Sequence, residues 1–195
     1  MSIQEKIRRR IFKYFTGKSK HRSETAKVRH LVLAYCIGEG CDVGFGGDKI
    51  KKEDCIGIDF AKPYANAGED EVDIACDLGK EKIPVNDNFF DYVYSSHLIE
   101  DFEDTGSVLK EFIRILKNNG NLILVFPDQQ EYERICKRTG QPLNSYHVHA
   151  EMGYTYMMNC LKSLQSEQNF EMDILYKSDR EIDYNVIVVL NISKH

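Results

Sequence analysis

The ten residues Cys41 to Ile50, CDVGFGGDKI, are the segment of this chain best suited to hold a ligand. An apolar run ends there in a loop with glycines at 44, 46 and 47. Without a Cβ, the backbone can turn sharply and approach a bound molecule closely. A dinucleotide fingerprint, GxGxxG, would need a third glycine at position 49, where Lys49 stands. Asp48 would also set a carboxylate against a pyrophosphate, which is repulsive. A ligand with an amino-acid moiety and no phosphate avoids that conflict. NAD stays open as the alternative, since Lys49 could offset part of the repulsion.

Three more groups of side chains could meet the same ligand. Asp59 closes the run Cys-Ile-Gly-Ile-Asp fifteen residues after Gly44. Its two coplanar oxygens could accept from the vicinal hydroxyls of a ribose. Asp77 and Leu78 follow another short apolar run, where a carboxylate and an amide could read an adenine edge. Ser95, Ser96 and His97 end the run FDYVYSS. Each has a plainer reading: a solvated loop acid for Asp59, and a carboxylate capping the next turn for Asp77. Further on, His147 and His149 in NSYHVHA are the best general-base candidates, because imidazole titrates near neutrality. If extended, they would share one side, so a metal pair is also conceivable, as are structural loop histidines. Tyr132, Tyr146 and Tyr154 could line a pocket or belong to the core.

Elements must position these groups. Short apolar strands are predicted at Cys41–Val43, Cys55–Asp59, Val72–Cys76, Phe90–Ser95 and Asn121–Phe126. The last two have the aliphatic and aromatic content of buried parallel strands. Between them, Leu109, Phe112, Ile113 and Leu116 mark one face of a helix over Gly106–Leu116, stopped by Asn118-Asn119-Gly120. Strand, helix and strand at this spacing imply a right-handed crossover. After the fifth strand come a polar segment, a helix near Tyr154–Ser166, and strands at Glu171–Tyr176 and Tyr184–Asn191. The short link Lys177–Asp183 makes those two an antiparallel hairpin.

The whole is one α/β domain, residues 38–195, behind an N-terminal helical arm, residues 1–37, that packs on it. In the arm, residues 2–15 repeat Ile3, Ile7, Ile11 and Phe15 every four positions around Arg8–Arg10, an amphipathic basic helix. It packs on the domain or contacts an anionic partner or membrane surface. Ser23 could cap a second helix reaching about Cys36. The 195 residues carry a net charge of −5. Residues 1–30 hold +8 of it and the remainder −13, and so acidic a body argues against general nucleic-acid binding. No apolar run approaches the roughly 20 residues that span a bilayer. No secretory signal is visible either, which leaves the cytoplasm as the expected location. Six cysteines without CxxC spacing read as reduced, buried thiols.

The order of glycine loop, acidic strand tip, Asp-Leu, Ser-Ser-His-Leu-Ile-Glu and Leu-Lys-Asn-Asn-Gly resembles class I (Rossmann-like) S-adenosylmethionine-dependent methyltransferases. The resemblance covers about residues 39–127. It implies a seven-stranded, mostly parallel sheet of order 3-2-1-4-5-7-6, strand 7 antiparallel, flanked by helices. It also implies S-adenosylmethionine as cofactor. Gly44, Gly46 and Asp42 would border the methionine part, Asp59 would hold the ribose with Phe60 beside the adenine, Asp77 and Leu78 would read the adenine edge, and Ser95 or Ser96 would lie near the sulfonium. The chain departs from the group's pattern in three places. Asp48 replaces a glycine, Asp101 stands where His is frequent, and residues 48–54 are too few for a full helix. The expected reaction is methylation of a small, hydroxyl-bearing acceptor. The competing readings are a cofactor-binding module without catalysis, and a methyltransferase acting on protein or RNA.

Overall fold

A computed structural model describes residues 23–63 and 67–195. The amphipathic helix expected at residues 2–15 lies outside them. Helix α1, Glu24–Val32, begins at Ser23, whose hydroxyl accepts from the Ala26 amide at 2.8 Å. A single 3-10 turn, Leu33–Tyr35, takes it to Cys36. The strands are β1, Gly40–Val43; β2, Cys55–Asp59; β3, Ile74–Ala75; β4, Phe90–Ser96; β5, Leu116–Pro127; β6, Phe170–Ile182; and β7, Asn185–Lys194. Helices α2, Thr105–Ile115, α3, Gln129–Thr139, and α4, Tyr154–Gln168, complete the domain.

All seven strands form one sheet in the order β3-β2-β1-β4-β5-β7-β6. Strands β1 to β5 pair in parallel. Strand β7 runs antiparallel to both β5 and β6. Alternation of side chains along the central strands builds a core on each face. Leu122 and Leu124 of β5, with Val188 and Leu190 of β7, meet Leu109 and Phe112 of α2 and Met157 and Leu161 of α4. Ile123, Val125, Ile187 and Val189 point the other way, with Tyr92 and Tyr94, against Val28 and Val32 of α1. Strands buried on both faces must read as continuous apolar runs, and these do.

Several boundaries differ from expectation. Strand β3 keeps only two residues. Helix α2 stops at Ile115 and passes directly into β5, three residues before the Asn-Asn-Gly signal. The closing hairpin is longer than the sequence suggests: β6 continues to Ile182, and Asp183, at φ +55°, makes the turn. Helix α3 was hidden because its face is narrow. Only Gln129, Tyr132 and Cys136 are buried, and of the rest of QQEYERICKRT only Ile135 is apolar. As the short spacing implied, no helix follows the glycine loop. The six cysteines are free thiols. No helix among the described residues is long and apolar enough to cross a membrane.

Candidate cofactor cleft and acceptor site

The glycine loop leaves the carboxyl end of β1 with Gly44, Gly46 and Gly47 all at positive φ. At Gly44 a Cβ would stand 2.7 Å from Leu98 Cδ1, so both conformation and space require glycine. Asp59, at the tip of β2, turns its carboxylate into this bend. One oxygen accepts from the Gly46 amide at 2.9 Å and the other from the Phe60 amide at 2.7 Å. Burial raises its pKa, and the two amides oppose that rise.

Helix α1 braces the segment that stands in place of the usual helix. Arg29 donates through Nη2 to Asp48 Oδ1 at 2.7 Å and to the Lys49 carbonyl at 2.9 Å, and through Nε to the Ile50 carbonyl at 3.1 Å. The Ser23 hydroxyl donates to the other oxygen of Asp48. The charge of Asp48 is therefore answered by α1 instead of facing the ligand side. Asp42, fully buried, lies beneath the loop, where its carboxylate accepts from the Ile50 amide at 2.7 Å. Burial raises its pKa well above the carboxylate range. On the other flank the Ala67 and Asp70 amides donate to the carbonyls of Gly46 and Gly47. Lys49 pairs with Asp73 at 2.8 Å.

Between β1, β2 and β3 runs a narrow cleft lined by Gly44, Asp59, Phe60 and Leu78 and roofed by Leu98 and Phe102, with about 20 Å³ of free space. The roof residues were not singled out in the sequence. They belong to the turn after β4, which brings Leu98 onto Gly44. Asp77 serves its own turn: it pairs with Lys80 at 2.6 Å, and its carbonyl accepts from the Lys80 and Glu81 amides. Ser95 is buried and donates to the Val43 carbonyl at 2.9 Å, tying β4 to the end of β1, and Ser96 beside it is also buried.

A second polar cluster occupies the carboxyl ends of β4 and β5. His97, at φ +52°, turns its ring inward. Its Nδ1 lies 3.1 Å from Glu100 Oε1 and its Nε2 2.5 Å from Asn185 Oδ1. Glu100 is 1% exposed. Burial opposes a charge on His97, but Glu100, with help from Glu24, lifts its pKa to about 9. His147 joins from the loop after α3: its Nδ1 is 2.8 Å from Gln129 Oε1 and its Nε2 3.8 Å from Glu100 Oε1. The Gln129 amide nitrogen is already committed to Glu133 at 2.9 Å. Its carbonyl oxygen therefore faces the ring, which puts the His147 proton on Nδ1 and leaves Nε2 unprotonated in the neutral ring. Burial lowers the His147 pKa. Tyr132 and Tyr184 border the ring cluster.

His149 does not join this cluster. Its Nε2 donates to the Phe102 carbonyl at 2.7 Å, and its Nδ1 lies 3.1 Å from the Tyr156 hydroxyl. It ties the turn after β4 to α4, so the two histidines have separate partners and form no common ligand pair. Glu100 and Gln129 were missed as individual residues. Glu100 lies inside the Ser-Ser-His-Leu-Ile-Glu run, and Gln129 opens helix α3.

Residues 40–124 match the family model described as a methyltransferase domain. No curated protein is significantly similar to the chain. Among solved structures, an S-adenosylmethionine-dependent methyltransferase from Thermotoga maritima is 19% identical, with 95% of this chain and 97% of that one covered and a TM-score of 0.66. The PH0226 protein of Pyrococcus horikoshii is also 19% identical, over 93% and 96% of the two chains, with a TM-score of 0.65. A methyltransferase from Archaeoglobus fulgidus is 13% identical, over 93% and 98%, at 0.63. The sheet order is that of the Rossmann-like methyltransferase fold, which these structures share. The matched stretch, residues 40–124, carries a methyltransferase domain on that fold.

Proposed function

We propose that the chain transfers a methyl group from S-adenosylmethionine to a small hydroxyl-bearing acceptor, with the donor in the cleft at Asp59 and the acceptor beside His147. The observation that carries this reading is the Asp59 carboxylate, fixed at the tip of β2 by the amides of Gly46 and Phe60. A carboxylate offers about four lone-pair positions, so two remain for ribose hydroxyls. Phe60, Leu78 and Phe102 supply apolar walls for a purine, and Gly44 leaves room for the amino-acid end. The residues suit the cofactor, and its entry requires Leu98 and Phe102 to swing away from a cleft this narrow. The geometry favours Gly44, Gly46, Asp59, Phe60 and Leu78 as contacts. Asp42, Ser95 and Ser96 support the strand ends behind them, and Asp77 meets the adenine only if it leaves Lys80.

Bound S-adenosylmethionine supplies a methyl on a sulfonium whose leaving group is neutral. What remains for the protein is alignment, worth about 7–11 kcal/mol in well-oriented reactions, and removal of the hydroxyl proton. His147 takes that proton at Nε2. Gln129 holds its tautomer, and Glu100, 3.8 Å away, stabilises the imidazolium that forms. His149 holds the loop.

Incubation of the full chain with methyl-labelled S-adenosylmethionine and a cell extract tests the acceptor class. Label in a small molecule supports the reading. Label confined to protein or RNA replaces it with the macromolecular alternative.

A further inference from the structure

A cavity of about 710 Å³ lies away from the reacting groups, between α2 and the segment that joins β3 to β4. It shares one wall, Leu78, with the cofactor cleft. Its charges do not balance. Asp87 and Glu111 are both engaged by Arg114, at 2.6 and 2.7 Å, and that guanidinium also donates to the Ile83 and Val85 carbonyls. Glu81 accepts from the Asp77 amide at 3.0 Å, and Lys80 is paired with Asp77. Lys82, Lys110 and Lys194 are left with no carboxylate at ion-pair distance among the described residues.

Lys194 is the informative one. It is half-buried, and its ammonium donates only to neutral oxygens, the Asn88 side chain at 2.7 Å and the Leu116 carbonyl. Burial, with the nearby Arg114, outweighs Asp87 and lowers its pKa. The lining carries five cationic side chains, Lys80, Lys82, Lys110, Arg114 and Lys194, against the carboxylates Glu81, Asp87 and Glu111, so the hollow has a cationic excess in a chain whose residues 31–195 carry −13. A cationic excess in a concave, partly desolvated place attracts an anion. Ile113 and Phe170 give the hollow an apolar floor. Its volume is within the roughly 300–1,000 Å³ of small-molecule sites.

We propose that this groove binds a small phosphorylated molecule, its phosphate held by Lys82, Lys110 and Lys194 and its apolar body laid on Ile113 and Phe170. The site is separate from the methyl-transfer centre and does not depend on its assignment.

Inorganic pyrophosphate titrated into the full chain by calorimetry, at near-physiological salt, tests the proposal. Saturable one-to-one binding is expected, weakened about tenfold or more by joint Lys82→Ala and Lys110→Ala, as the loss of charge-assisted bonds requires. Both lysines are exposed, so a thermal melt of the double variant should match the parent. Asp59→Asn, which alters the cofactor cleft, should leave pyrophosphate binding unchanged. Absence of saturable binding, or binding that survives the double substitution, overturns the proposal. Binding that moves with Asp59→Asn, or a short RNA that binds more tightly than pyrophosphate with steep salt dependence, does so as well.

Discussion

His97 and Glu100 face each other at 3.1 Å in a nearly water-free corner between β4 and β7. The folded-state pKa of His97, about 9, exceeds the ordinary 6.5, so the folded protein binds that proton more tightly than the unfolded chain. The stabilisation is complete below about pH 6.5 and drains away as pH rises through about 9. Urea midpoints measured across that window should fall steadily, and His97→Gln should flatten the fall. A parent protein with constant stability there would show that the pair carries no net charge-linked stabilisation.

His147 titrates in the opposite sense. Burial lowers its pKa, so it stands unprotonated at neutral pH and ready to accept a proton. The acid limb of kcat should therefore lie below pH 6.5, and His147→Gln should lower kcat by about 10²–10⁴-fold with the fold intact. Replacing Gln129 with Leu should weaken turnover and move that limb, because the ring loses the acceptor that fixes its tautomer. His149→Gln should instead cost about 1–3 kcal/mol of stability and leave the pH profile in place. Equal effects from both histidines would remove the distinction.

Arg29 binds the loop that replaces a helix. Arg29→Ala strips Asp48 of its counter-charge and frees two carbonyls, so a loss of about 1–3 kcal/mol in stability is expected. S-adenosylhomocysteine should also bind more weakly. Arg29→Lys should recover little, since one ammonium cannot reproduce three directed bonds. Full recovery would mean that charge alone matters there.

Gly44→Ala puts a methyl 2.7 Å from Leu98 at φ +75°. The strained backbone should cost about 1–3 kcal/mol, read as a lower melting temperature together with weaker cofactor binding. An unchanged melt would show that the loop relaxes freely.

Much of the fold is legible in the residues because periodicity and glycine placement are local. Runs such as NLILVF and the Leu109, Phe112, Ile113 stripe declare their strand and helix without help from elsewhere. Helix α3 is harder to read, because its buried stripe, Gln129, Tyr132 and Cys136, falls at helical spacing but holds few apolar residues in a highly charged segment. The site divides in the same way. Asp59 and Gly44 announce themselves through spacing, whereas Arg29, Leu98 and Gln129 matter through partners 18 to 54 positions away. His147 and His149 look equivalent in NSYHVHA. Only the folded chain separates the ring held between Gln129 and Glu100 from the one bound to Phe102 and Tyr156.

The central claim is that Asp59, braced by Gly46, holds the ribose of the methyl donor. It is tested most directly by titrating S-adenosylhomocysteine into the parent and into Asp59→Asn under identical conditions. One molecule should bind the parent, with affinity at least about tenfold weaker in the variant, the cost of replacing a charged hydrogen-bond acceptor, while both melt alike in the absence of ligand. Equal affinity in the two proteins, or no binding to the parent, would contradict the account.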